Sequence, residues 1–164
     1  MNRLLKKITY VLFVIIFVIG IHFGYKKIFN KYNKELLKAK EMSDKHFRLF
    51  KLMNNWTNAK IRGTKVVDYL KENNIKSVAI YGLSYVGQTL ISELEKEDID
   101  IKYGIDQNPE FFCQDFEVIS PNDELPSVDM IIITAVFYFD EIKSKLQKRV
   151  NTQIVSLEEI VEYI

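Results

Sequence analysis

The stretch "SVAIYGLSYVGQTLISELEKEDIDIKYGID", Ser77 to Asp106, decides the fold. It opens with a β-branched apolar run, turns at Gly82, passes Ser84 and Gly87 into a helical pattern, and ends in a second, alternating strand. Gly82 permits a tight exit from the first strand, and Gly87 lets the helix approach the sheet; both depend on lacking a Cβ. The dinucleotide fingerprint is G-x-G-x-x-G, whereas this chain carries G-x-S-x-x-G. Ser84 stands where a bare backbone would touch a pyrophosphate, and its side chain either obstructs that approach or offers a hydroxyl. The helix that begins near Val86, just after Tyr85, still presents unpaired N–H groups and a positive dipole end to a phosphate.

Strand and helix patterns continue to alternate on both sides of this stretch. Leu90, Ile91 and Leu94 give the helix over 88–96 one apolar face, and Ile99, Ile101, Tyr103 and Ile105 alternate as a strand. A weaker strand is expected at Phe116–Ile119, closed by Ser120, Pro121 and Asn122. "VDMIIITAV", Val128–Val136, reads as a central strand covered on both faces. A helix over 140–149, a strand over 153–156 and a terminal helix follow; Ser156 is the expected N-cap and Glu159 completes its capping box. Upstream, Gly63 and Thr64 break the chain, Thr64 is the expected N-cap of a short helix whose buried face is Val66, Val67, Tyr69 and Leu70, and Asn73-Asn74 ends it. Trp56 and Met53 are expected to pack on the domain. Right-handed crossovers between five strands imply an α/β, Rossmann-like parallel sheet of order 3-2-1-4-5. Its size matches one mononucleotide-binding half plus extra strands, not a complete two-half dinucleotide domain.

Asp106 ends the second strand 24 residues after Gly82, near the spacing at which a carboxylate takes ribose hydroxyls. A carboxylate there disfavours a 2′-phosphate, so NAD or a nucleotide sugar is expected rather than NADP. The competing reading is a polar turn of Asp106, Gln107 and Asn108 before Pro109. Thr134, at the end of the central strand, either lines the ligand cleft or caps the strand. The expected cofactor-binding set is Gly82, Ser84, Tyr85, Val86, Gly87, Asp106 and Thr134. No catalytic residue is assigned: no histidine follows His46, no Tyr-x-x-x-Lys pair occurs, and no metal-ligand spacing is present. Cys113 is the only cysteine, which precludes an intramolecular disulfide and reads as a structural thiol.

Before the domain lie three further segments. Residues 1–7 form a basic tail, and residues 8–25, "ITYVLFVIIFVIGIHFGY", carry no formal charge. A helix crosses a bilayer's hydrocarbon core with roughly 20 mostly apolar residues, so 8–25 is read as a single-pass transmembrane helix. A cleaved signal peptide competes, although Gly20 and Gly24 make a poor cleavage site, and a buried core helix is a third reading. Residues 26–51 form a helical stalk of net charge +6, whereas 52–164 carry a net charge of −8. Ile28, Tyr32, Leu36 and Ala39, then Phe47, Phe50 and Met53, fall mostly three or four apart, as a dimeric coiled coil or a single amphipathic helix requires; Met42 and His46 fit loosely. The lysines after the span outnumber the basic residues before it, which favours a cytoplasmic carboxyl side and attraction to anionic lipid. No nucleic-acid partner is expected, and oligomeric state is left open.

The segments "LMNNW", "VAIYGLSYVGQTL", "IKYGIDQNP", "SPNDELPSVDMIIITAVFYFDEI" and "SLEEI", covering roughly residues 52–164, resemble bacterial Rossmann-like domains of surface-polysaccharide and glycosyltransferase systems, described as NAD(P)-binding or nucleotide-sugar-epimerase-like. They are also similar to the amino-terminal nucleotide-sugar-binding module of bacterial sugar acyltransferases, whose acyl-transfer residues lie in another domain. The resemblance implies an accessory or regulatory component of surface-polysaccharide biosynthesis, working with polysaccharide-assembly or glycosyltransferase proteins. A membrane-tethered epimerase or dehydrogenase needing a partner, and a ligand-free interaction scaffold, are the alternatives.

Overall fold

The computed structural model describes residues 3–111 and 115–164, apart from the side chains of residues 4–6 and 111. Cys113 therefore lies outside the described residues. The chain forms two compact units, Met1–His46 and Phe47–Ile164. Helix α1 (Arg3–Arg62) contributes to both.

In the first unit, the amino-terminal part of α1 is long and apolar enough to cross a membrane, and its apolar window is wholly unburied. Phe13 and Phe17 are 71% and 63% exposed, so this segment is not buried in a core of this chain.

The second unit is an α/β fold. After α1 come α2 (Val66–Glu72), β1 (Ser77–Tyr81), α3 (Tyr85–Leu94), β2 (Asp100–Ile105), β3 (Glu117–Ile119), β4 (Met130–Ile133), α4 (Phe139–Leu146), β5 (Gln153–Ser156) and α5 (Leu157–Tyr163). The strands form one parallel sheet of order β3-β2-β1-β4-β5, as the alternating pattern predicts. Successive side chains of a strand point to opposite faces. Val78 and Ile80 accordingly share a core with Val67 of α2, Leu90 and Leu94 of α3, and Ile160 and Val161 of α5. On the other face, Ala79, Tyr81, Ile131 and Ile133 join Phe139, Ile142 and Leu146 of α4.

The carboxyl-terminal part of α1 belongs to the first of these cores. Leu52 and Trp56 are each 1% exposed and Ala59 fully buried, within the compact unit Phe47–Ile164. Gly63 ends α1 at φ +87, a conformation that favours glycine. Thr64 closes this helix instead of starting the next: its N–H and hydroxyl both donate to the Ala59 carbonyl, each at 3.0 Å. The N-cap of α2 is Lys65, whose N–H donates to the Asp68 carboxylate at 2.7 Å. The expected α5 cap is present, with the Glu158 N–H donating to Ser156 Oγ at 3.2 Å and the Ser156 N–H to Glu159 at 3.4 Å.

Strand β4 is shorter than its apolar run. It pairs with β1 only as far as Ile133 opposite Tyr81, because β1 turns away at Gly82 and leaves no ladder beyond it. Val136–Tyr138 instead form a 3₁₀ turn leading into α4.

Candidate functional site

Helix α3 returns the chain from β1 to β2 against one face, and α4 returns it from β4 to β5 against the other. The strand order therefore reverses direction between β1 and β4, and ligands of open α/β sheets bind outside the carboxyl ends of the strands at such a switch point. The turn Gly82–Gly87 lies there.

Gly82 has φ +91, and its N–H donates to the Ile105 carbonyl at 2.9 Å. A Cβ on Gly87 would fall 2.1 Å from the Gly82 carbonyl oxygen. The two fingerprint glycines are thus spent as expected, one on backbone conformation and one on helix–strand approach.

Ser84 is exposed and is the N-cap of α3, yet its hydroxyl makes no capping hydrogen bond. The amides of the first helical turn have no intrahelical acceptor. Among the described residues no acceptor reaches the N–H groups of Ser84, Tyr85, Val86 or Gly87, while the Gln88 N–H is taken by the Ser84 carbonyl at 2.9 Å. Tyr85 is 91% exposed beside these donors, and Val86 packs partly into the core. Phe137 and Tyr138, at the exit of β4, are also exposed, with ring centroids 5.2 Å apart.

Asp106 is brought to the turn, in a role its spacing did not announce. Its Oδ2 accepts the Leu83 N–H at 3.0 Å and its Oδ1 accepts the Asn108 N–H at 3.1 Å. The first contact joins it to the glycine turn, and the second is the polar turn of the competing reading. A carboxylate has about four acceptor sites, so two bonds leave room for a hydroxyl. Thr134 is 4% exposed, and its hydroxyl points to the carbonyls of Gly82 at 2.5 Å and Tyr81 at 3.1 Å. Its donor thus ties the end of β4 to the turn.

Two contributors escaped the sequence reading. Leu83 is fully buried, and a Cβ on Gly104 would fall 2.8 Å from its Cδ1. The available signal was a lone glycine inside an alternating strand, which marks close approach. Tyr81 is the other: burial raises the pKa of its phenol, and the Gln107 side chain opposes that rise. Tyr81 lines a cleft of about 190 Å³ with Lys145 and Arg149 of the α4 side. Among the described residues, no group of three or more His, Cys, Asp or Glu side chains gathers to hold a metal.

Comparison with protein-family models, with curated proteins and with solved structures yields no match for this chain.

Proposed function

We propose that this is a single-pass membrane protein whose second unit, on the cytoplasmic side, binds NAD or a nucleotide sugar as an accessory or regulatory component of surface-polysaccharide biosynthesis. The observation that carries the binding reading is the set of unclaimed donors at the switch point: the amides of Ser84 to Gly87 together with the free Ser84 hydroxyl. A diphosphate accepts from these groups, Asp106 takes a ribose hydroxyl with its remaining acceptor sites, and Tyr85 offers an aromatic face. The resemblance of the β1–α3–β2 segment to nucleotide-sugar domains supports the substrate class. The membrane reading rests on the unburied apolar part of α1, and the orientation on the lysines that follow it.

Calorimetry on residues 47–164 tests the binding reading. Saturable heat with NAD(H) or a UDP-sugar, weakened by Asp106→Ala, supports it; no heat and no thermal stabilisation with any of them overturns it. A carboxyl-terminal reporter active only outside the cytoplasm overturns the orientation.

The Tyr81 cleft, with Lys145 and Arg149 in its wall, favours a second reading: a tethered epimerase or dehydrogenase completed by a partner. Cofactor turnover with candidate sugar nucleotides distinguishes it from the accessory role.

A further inference from the structure

We infer that residues 25–46 of α1 pair with a second copy of this chain as a parallel two-stranded coiled coil. Tyr25, Phe29, Tyr32, Leu36 and Ala39 follow one another at alternating spacings of four and three, the d and a positions of a heptad. Ser43 and His46 continue the phase as polar seam positions, of the kind that lower stability and fix register. The seam is exposed throughout: Phe29 is 50%, Tyr32 62% and Leu36 56% accessible. Tyr25 and Phe29 already stack on this face, with ring centroids 6.0 Å apart.

Charge placement decides what covers it. Lys27 and Lys34 occupy f positions, and Lys31, Lys38 and Lys45 occupy c positions, all away from the seam. Glu35 lies at g and Lys40 at e, five residues apart, which is the g-to-e′ spacing that meets across a parallel pair. Each dimer therefore sets Glu35 against the other copy's Lys40 twice, and Ile28 against Asn33 without like-charge conflict. An antiparallel pair would set e against e′, bringing Lys26 and Lys40 onto a lysine-bearing edge. Two anchors inserted in the same sense impose the parallel arrangement, a point that rests on the membrane reading above. Helix α1 is unbroken through residues 3–46 and contains no proline, so nothing bends the seam away from the span to lie on the bilayer.

Disulfide trapping of the full chain in phosphatidylcholine vesicles tests this, with Cys113→Ser making an introduced cysteine the only thiol. Leu36→Cys and Ala39→Cys are expected to form covalent dimers on the order of tenfold faster than Lys31→Cys and Lys38→Cys, because only seam positions bring Cα atoms within disulfide reach. Adding Glu35→Lys to Leu36→Cys should slow trapping, and adding Lys40→Glu as well should restore it. Equal rates at seam and outer positions, absence of dimers, or failure of the double charge reversal overturns the pairing. Protein released from vesicles by alkaline washing that still traps selectively at the seam upholds the pairing and removes the anchor; protein that stays in the vesicles but traps indiscriminately does the reverse.

Discussion

Asp106 Oδ2 accepts the Leu83 N–H at 3.0 Å, and this bond fastens the end of β2 to the turn that leaves β1. Because Oδ1 also accepts an N–H, from Asn108, both oxygens must be acceptors. An asparagine has one acceptor oxygen and one donor NH₂, so it must oppose one of the two amides with a donor. Asp106→Asn should therefore lower stability by about 1–3 kcal/mol with no nucleotide present. The urea midpoint of residues 47–164 measures it, and an unchanged midpoint would remove the loop-fastening role.

The last and the middle positions of the fingerprint should respond to very different degrees. Gly87→Ala places a Cβ 2.1 Å from the Gly82 carbonyl, so α3 must shift off the sheet at a cost of about 1–3 kcal/mol or more. Ser84→Gly removes a side chain that makes no cap bond, and should change stability by only a few tenths of a kcal/mol. Thermal melts of the pair separate packing from contact with a ligand, and a Ser84→Gly protein as unstable as Gly87→Ala contradicts this division.

A third expectation concerns Glu93, which is 9% exposed. It accepts from Trp56 Nε1 at 3.1 Å, from the Val66 N–H at 2.7 Å, and from Lys60 Nζ at 2.7 Å. Glu93→Ala strands two buried donors and should cost about 2–4 kcal/mol. Lys60 is partly exposed, so Lys60→Met should cost less than about 1 kcal/mol. Denaturant titrations that rank the two variants the other way would contradict this arrangement.

Asp129 supplies the pH dependence. Its carboxylate accepts the N–H groups of Lys76 and Ser77 at 3.0 and 2.8 Å and the Ser77 hydroxyl at 3.0 Å; these bonds hold its pKa below the ordinary carboxylate value. A carboxylate with a depressed folded-state pKa contributes stability above its unfolded value, near pH 4, and loses it as pH falls through the folded one. Asp129→Asn should flatten that part of the stability–pH curve while leaving its slope near neutrality unchanged. Unfolding midpoints measured from pH 7 down to pH 3 provide the comparison.

The strand order was legible because each parallel neighbour must be reached by a right-handed crossover, and the β-branched run at Ser77–Tyr81 leaves little ambiguity about where the series begins. The α5 cap was legible because its partners are three residues apart. What the sequence concealed is tertiary. Thr64 has the chemistry of an N-cap, but the Ala59 carbonyl, left over at the end of α1, claims its hydroxyl. The apolar run after Asp129 outlasts β4 because strand length is limited by the neighbouring strand. Spacing brought Asp106 to the turn, yet could not foresee that Leu83 would present its amide while burying its side chain over Gly104. The free donors of Ser84 to Gly87 were legible from the helix start alone.

Trp56 is the chain's single tryptophan. Fully enclosed, with Lys60 Nζ 5.0 Å from its ring centroid and its indole N–H held by Glu93, it occupies an environment that water does not share. Its emission is consequently an intrinsic optical signal for one event, the release of the carboxyl-terminal turns of α1 from the core beneath them. Undocking can be followed in the native protein without an attached dye, and its colour change can be timed against loss of the sheet.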